Sequence, residues 1–333
     1  MTPLRLLALL ALSRFTPCAA AELTVKLATL APAGSAWHDL LRELGQRWET
    51  VSGGEVKLRI YPGGVQGSEG DVLRKLQVGL LQAAALTNIG LHDVVAEPQA
   101  MTVPLLFRDE AEMACAFAAV RPQLDSALAA RGLIAVQWTV IGPLALYCNA
   151  PHRTPADLAG VRVFAAEGDP GVADAWRRAG LRPVVLSAGD IPQALMTGMI
   201  DCLNNIPLYA LTAHTFERTP YLIGLPWGFM MGALVVRQDA WERVPEALRP
   251  ALLAAAREIG LRIDAEVKRL NADALEVMQR RGLTIVQVDP EAWRPAFERS
   301  WGALRGPVIP AAFFDEVVAA RDTCRAAEVA AKH

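Results

Sequence analysis

Residues 23–30, LTVKLATL, alternate apolar and polar side chains as a half-buried strand does. The period then changes. In residues 34–54 the apolar positions Trp37, Leu40, Leu41, Leu44 and Trp48 recur at helical spacing, with Ser35 placed as a cap and glycines at the stop. VKLRIYPGG predicts a second strand, GSEGDVLRKLQVG a second helix and QAAALTN a third strand. This βαβαβ order predicts a parallel sheet with helices on its faces. Ligands on such sheets sit beyond the carboxyl ends of the strands, which puts residues 29–35, 62–69 and Asn88 on one rim.

A helical stretch near 109–131 is followed by GLIAVQWTVIGPLALYCN, far longer than the usual strand of about 5–6 residues. It predicts a crossing between two units. The βαβαβ order then repeats: VRVFAA, DPGVADAWRRAG, LRPVVLS, DIPQALMTG and MIDCLNN. MMGALVVRQ, residues 230–238, predicts a return strand, and two passes between units allow a hinge. Residues 245–281 are patterned as helix, read as one strut across both units rather than two helices broken at Gly260. The expected division is residues 22–140 plus 230–268 in a first lobe and 141–229 plus 269–333 in a second.

Composition removes several alternatives. At 53% apolar and 20% charged residues, the 333-residue chain can bury the core of two domains. Its 33 basic and 35 acidic residues balance, so nucleic acid is not an expected partner. Residues 1–21 carry Arg5, an apolar run and small residues at 19 and 21, the pattern of a cleaved export signal, which predicts a periplasmic location. The segment before Cys18 lacks the residues of a lipid-attachment site. No later window is long enough to span a membrane. Cys115, Cys148, Cys202 and Cys324 are widely spaced and are read as buried thiols, although an oxidising compartment would allow them to pair.

The chemical census is mostly negative. The five histidines are scattered, and there is no HExxH, CxxC, nucleophile elbow, phosphate loop or dinucleotide fingerprint, so no catalytic residue, metal or cofactor is expected. Glu167 and Asp169 follow a strand end, where Asp169 suits a helix cap before Pro170 and the pair suits proton transfer or a cationic ligand. Trp37, Trp138 and Trp227 are candidate aromatic walls or core. Glu69, Asn88, Asn204 and Asn205 are candidate polar contacts, the last two also suiting a turn before Pro207.

The runs ATLAPAGSAWHDLL, RIYPGGVQGSEGDVLRKLQVG, VPLLFRDEAEM, RTPADLAGVRVFAAEGDP, ALMTGMIDCLNNIPLYAL and LVVRQDAWERVPEALRPALLAAAREI, in this order, resemble the extracytoplasmic solute receptors of TRAP transporters, the DctP-type family. The resemblance implies a two-lobed α/β periplasmic binding protein fold. Each lobe would hold a mixed, mostly parallel sheet flanked by helices, with crossing strands and a long helix spanning both. It also implies closure around a small ligand that is passed to membrane subunits, by a monomer or dimer. Many members carry a ligand-clamping arginine where DLAGVRVF has Phe164, and strand alternation puts Arg162 on the same face, about 7 Å back. Three ligands are compatible: an organic acid held by helix amides and asparagines, taken first; an apolar molecule on Phe164, Trp138 and Trp227; or a cation at Glu69, Glu167 or Asp169. A periplasmic sensor and a periplasmic enzyme are the rival functions.

Overall fold

The computed structural model describes residues 22–167 and 170–331. The expected export signal at 1–21, with Cys18, and the candidate Asp169 lie outside the described residues. In chain order the first lobe opens with β1 (Leu23–Thr29), α1 (Ala36–Val51), β2 (Val56–Tyr61), α2 (Glu69–Gln77), β3 (Ala83–Thr87), α3 (Asn88–His92) and α4 (Glu110–Ala129). The crossing strand β4 (Leu133–Cys148) leads to β5 (Arg162–Ala166), α5 (Pro170–Arg178), β6 (Arg182–Leu186), α6 (Ile191–Met196), β7 (Cys202–Asn205) and α7 (Pro207–Thr212). A second crossing strand, β8 (Tyr221–Arg237), precedes α8 (Gln238–Glu242), α9 (Arg249–Arg280), β9 (Thr284–Val286), α10 (Pro290–Leu304) and α11 (Ala311–Ala331).

The architecture is two-lobed α/β, built on one continuous sheet in the order β2-β1-β3-β8-β4-β7-β5-β6, with β9 beside β8. β1 pairs parallel with both β2 and β3, and β5 with both β6 and β7. β4 and β8 run antiparallel through the middle and belong to both lobes. Their register shifts near Val140 and Leu144, where Gly142 and Gly228 sit at φ 153° and 152°. A Cβ at Gly142 would stand 2.6 Å from Asn271 Nδ2, and one at Gly228 2.6 Å from the Thr102 carbonyl oxygen. Only glycine fits these contacts, so the chain bends where the lobes meet.

The long helix is unbroken. α9 runs 32 residues, about 48 Å at 1.5 Å per residue, straight through Gly260. At that glycine a Cβ would stand 2.1 Å from the Gln137 side chain, so the residue is there for close approach to β4 rather than as a break. α9 packs on α1 in one lobe and α7 in the other. It is fixed by Trp48 Nε1 donating to the Leu252 carbonyl, and by buried Asn271, whose Nδ2 donates to the Ile141 carbonyl and whose Oδ1 accepts from Leu208 N.

Two expectations need correction. The segment after residue 268 does not stay in the second lobe: α10 packs on α5, but α11 returns to α4 and buries Phe313, Phe314 and Val317 in the first lobe's core. The four cysteines are not free thiols. Cys115 in α4 joins Cys324 in α11, and Cys148 in β4 joins Cys202 in β7. Sequence spacing hid both pairs, because partners 209 and 54 residues apart meet only once helices and strands pack.

Candidate functional site

Two cavities flank the point where β3, β4 and β8 meet. One lies between the lobes. Its cavity is about 140 Å³, and its wall takes Asn88, Gln99 and Thr102 from the first lobe and Phe164, Trp176, Asn204 and Asn205 from the second. Leu144 and Met230 of the crossing strands and Ser300 of α10 also line it. The other, about 240 Å³, lies within the first lobe, between the sheet and the α1–α9 layer; Trp37, Leu41, Gln137, Ala256 and Ile259 line it, with Glu69 at its edge.

The polar groups of the interlobe cleft are placed by short-range chemistry. Thr87 caps α3 by accepting from Ile89 N, so the chain turns just after β3 and sets Asn88 at the cleft. Glu69 holds this turn from α2: its carboxylate accepts from Thr87 N at 2.6 Å, Thr87 Oγ1 at 2.7 Å and Gly90 N at 2.9 Å. Burial raises the Glu69 pKa, against the pull of those three donors. A Cβ at residue 90 would stand 2.9 Å from this carboxylate, which requires glycine there. In the second lobe, Asn205 Oδ1 accepts from Ile206 N, the expected turn before Pro207. The Asn204 side chain has no hydrogen-bond partner among the described residues.

Of the ten candidates, the cleft brings together Asn88, Phe164, Asn204 and Asn205. Phe164 is 9% exposed, packed with Tyr147, Ile191 and Leu195 in a core cluster of the second lobe, and it also borders the cleft. Arg162, behind it on the same strand, is committed elsewhere. It grips Asp201 with two hydrogen bonds, Nε to Oδ2 at 2.8 Å and Nη2 to Oδ1 at 2.6 Å, which hold the Asp201 carboxyl below its usual range. Glu167 is exposed on the turn after β5 and does not line the cleft. Trp37 and Glu69 belong to the other cavity.

Trp138 and Trp227 are corrections. Trp138, 4% exposed, points to the α4 side, where its Nε1 donates to Asp125 and its ring meets Phe117 edge-on. Trp227, 1% exposed, lies in the second lobe's core, where Trp176, Trp293 and Phe297 meet it edge to face. Strand position near a rim did not fix which face each ring took. The sequence reading missed Gln99, Thr102 and Ser300, which lie in a 3₁₀ segment and in α10 with no motif to mark them.

Comparison with known proteins now bears on this geometry. Residues 27–305 match the model of the family described as bacterial extracellular solute-binding protein, family 7. The chain belongs to that family. A solute-binding protein of Roseobacter denitrificans is 23% identical over 289 residues, 83% of this chain and 85% of the relative. The C4-dicarboxylate-binding periplasmic protein of Rhodobacter capsulatus is 26% identical over 71% of each chain. A TRAP periplasmic solute-binding protein of Pseudomonas putida F1, solved with D-glucuronate, superposes with a TM-score of 0.79 at 22% identity, covering 90% of this chain and 97% of that one. One from Ochrobactrum anthropi superposes with a TM-score of 0.84 at 22% identity, covering 92% and 97%. These structures share the two-lobed fold. Among the described residues of this family 7 protein, no helix is long and apolar enough to cross a membrane.

Proposed function

We propose that this family 7 protein is an exported, periplasmic receptor of a TRAP-type transporter, which captures a small organic solute in the interlobe cleft and presents the closed form to membrane subunits. The observation that carries this reading is the composition of the cleft wall, drawn from both lobes and from the two strands that join them. A solute touching both walls favours the closed arrangement by its differential affinity for it. The acids bound by relatives, C4-dicarboxylate and D-glucuronate, make organic acids the reference class for binding screens. A receptor rather than an enzyme is supported by the site residues: Asn88, Gln99, Thr102, Asn204, Asn205 and Ser300 bind and orient but offer no ready proton donor or acceptor near neutral pH.

The mechanism is then conformational. Solute docks on one wall, the lobes rotate about the glycine-marked bend in β4 and β8, and the second wall closes on it. Mass spectrometry of solutes released from denatured, exported protein should find a bound small molecule, and adding it back should lower the radius of gyration in solution scattering. Identical radii with and without saturating solute would sink this reading.

A further inference from the structure

The lining of the cleft contains no charged side chain among the described residues. Arg162, the basic residue on the strand that borders the cleft, is taken by Asp201. Instead, two buried polar atoms in the wall lack a partner: Asn88 Oδ1 and Trp176 Nε1.

The identity of the Asn88 atom follows from its neighbours. Gln99 Nε2 donates to the Asn88 backbone carbonyl at 3.1 Å, which turns Gln99 Oε1 toward Asn88 Nδ2 at 3.2 Å. The Asn88 amide is thereby oriented with its nitrogen committed and its oxygen left over. Asn88 is 8% exposed and this oxygen is shielded from bulk water, and such atoms are paired in nearly all folded proteins. A carboxylate has no proton to give it and would set negative charge against it. An O–H or N–H group satisfies it. Trp176 Nε1, a donor only, calls for an acceptor on the same solute.

From this we propose that the cleft recognises an uncharged solute bearing both hydrogen-bond donors and acceptors, of the hydroxyl or carboxamide class, rather than a carboxylate. The inference rests on the receptor reading above and narrows its ligand. The uncharged amides of Asn204 and Asn205 extend the polar strip, and Phe164, Leu144 and Met230 supply the apolar wall. A carboxylate would find only the neutral amide donors of Asn204 and Asn205 here and no countercharge, whereas a neutral group exchanges its water hydrogen bonds for protein ones.

A panel of small hydroxy acids, each paired with its primary amide from lactate and lactamide to D-glucuronate and glucuronamide, tests this by calorimetry between 20 and 500 mM NaCl. The amides should bind at least about tenfold tighter than their acids, the worth of roughly one net hydrogen bond, with no dependence on salt. Asn88→Leu should weaken the amides about tenfold, and Phe164→Arg should shift preference toward the acids. An acid binding tighter than its amide, with affinity falling as salt rises, overturns the proposal, and it does so in the native protein even if Phe164→Arg fails to fold. Binding of neither member of any pair, with no compaction by scattering, sinks the receptor reading and this one together.

Discussion

The two cavities differ in a way that volume conceals. In the larger one, between the first lobe's sheet and the α1–α9 layer, two polar residues are committed to the fold: Glu69 bonds the turn after β3, and Gln137 Nε2 donates to the neighbouring Trp138 carbonyl. The smaller one, between the lobes, keeps an acceptor and a donor without partners. A buried polar atom left unpaired is destabilising by about 1–3 kcal/mol. Unpaired buried atoms also occur at Tyr147, Trp227 and Asp264, so what marks the cleft is that its two belong to residues of opposite lobes that line one cavity.

Blocking each cavity in turn would break or sharpen that contrast. Ala166→Phe, at the carboxyl end of β5 in the cleft wall, should lower solute affinity about a hundredfold, near 2.7 kcal/mol, while leaving the melting temperature almost unchanged. Unaltered affinity in calorimetry would move the site elsewhere. A smaller effect is expected on α9, whose Ile259 and Ile263 line the rear cavity. There Asp264 has a pKa pushed up to about 6, chiefly by burial, with the Val140 backbone hydrogen bond opposing and Glu110 adding to the rise. The folded state therefore holds this proton more tightly than the unfolded chain does. Its contribution to stability is full below the ordinary aspartate value and is lost as pH rises through 6. Asp264→Asn should accordingly stabilise the protein above pH 6 by about 1 kcal/mol, discounted for partial exposure, with the gain vanishing below about pH 4 in urea melts. A pH-independent gain would contradict the assigned cause. The smallest effect belongs to Ala256→Leu, which fills the rear cavity. It should raise stability by up to about 1 kcal/mol and leave solute affinity untouched. A drop in affinity comparable to that of Ala166→Phe would show that the two cavities act as one.

Periodicity made most of the fold legible. The repeated βαβαβ order, the two long crossing strands and the continuous helix all follow from runs of side chains whose spacing matches one period or the other. Part of the site was legible for the same reason, since Asn88, Phe164, Asn204 and Asn205 lie at or beside strand ends. Gln99, Thr102 and Ser300 reach the cleft from segments without a repeating pattern, and nothing local distinguishes them from surface residues. Trp138 and Trp227 show the opposite failure. Each stands in a crossing strand whose register shifts, and a shift of one residue turns a side chain to the other face.

The order of elements, the rim on which a ligand would sit and the absence of a clamping arginine beyond Arg162 on its strand were set by local sequence, because each depends on neighbours a few residues apart. The pairing of Cys115 with Cys324 and of Cys148 with Cys202, the return of α11 to the first lobe and the unpaired oxygen of Asn88 were decided only by packing. Each depends on which distant groups come within bonding distance, and on which are left without a partner once all the others have found theirs.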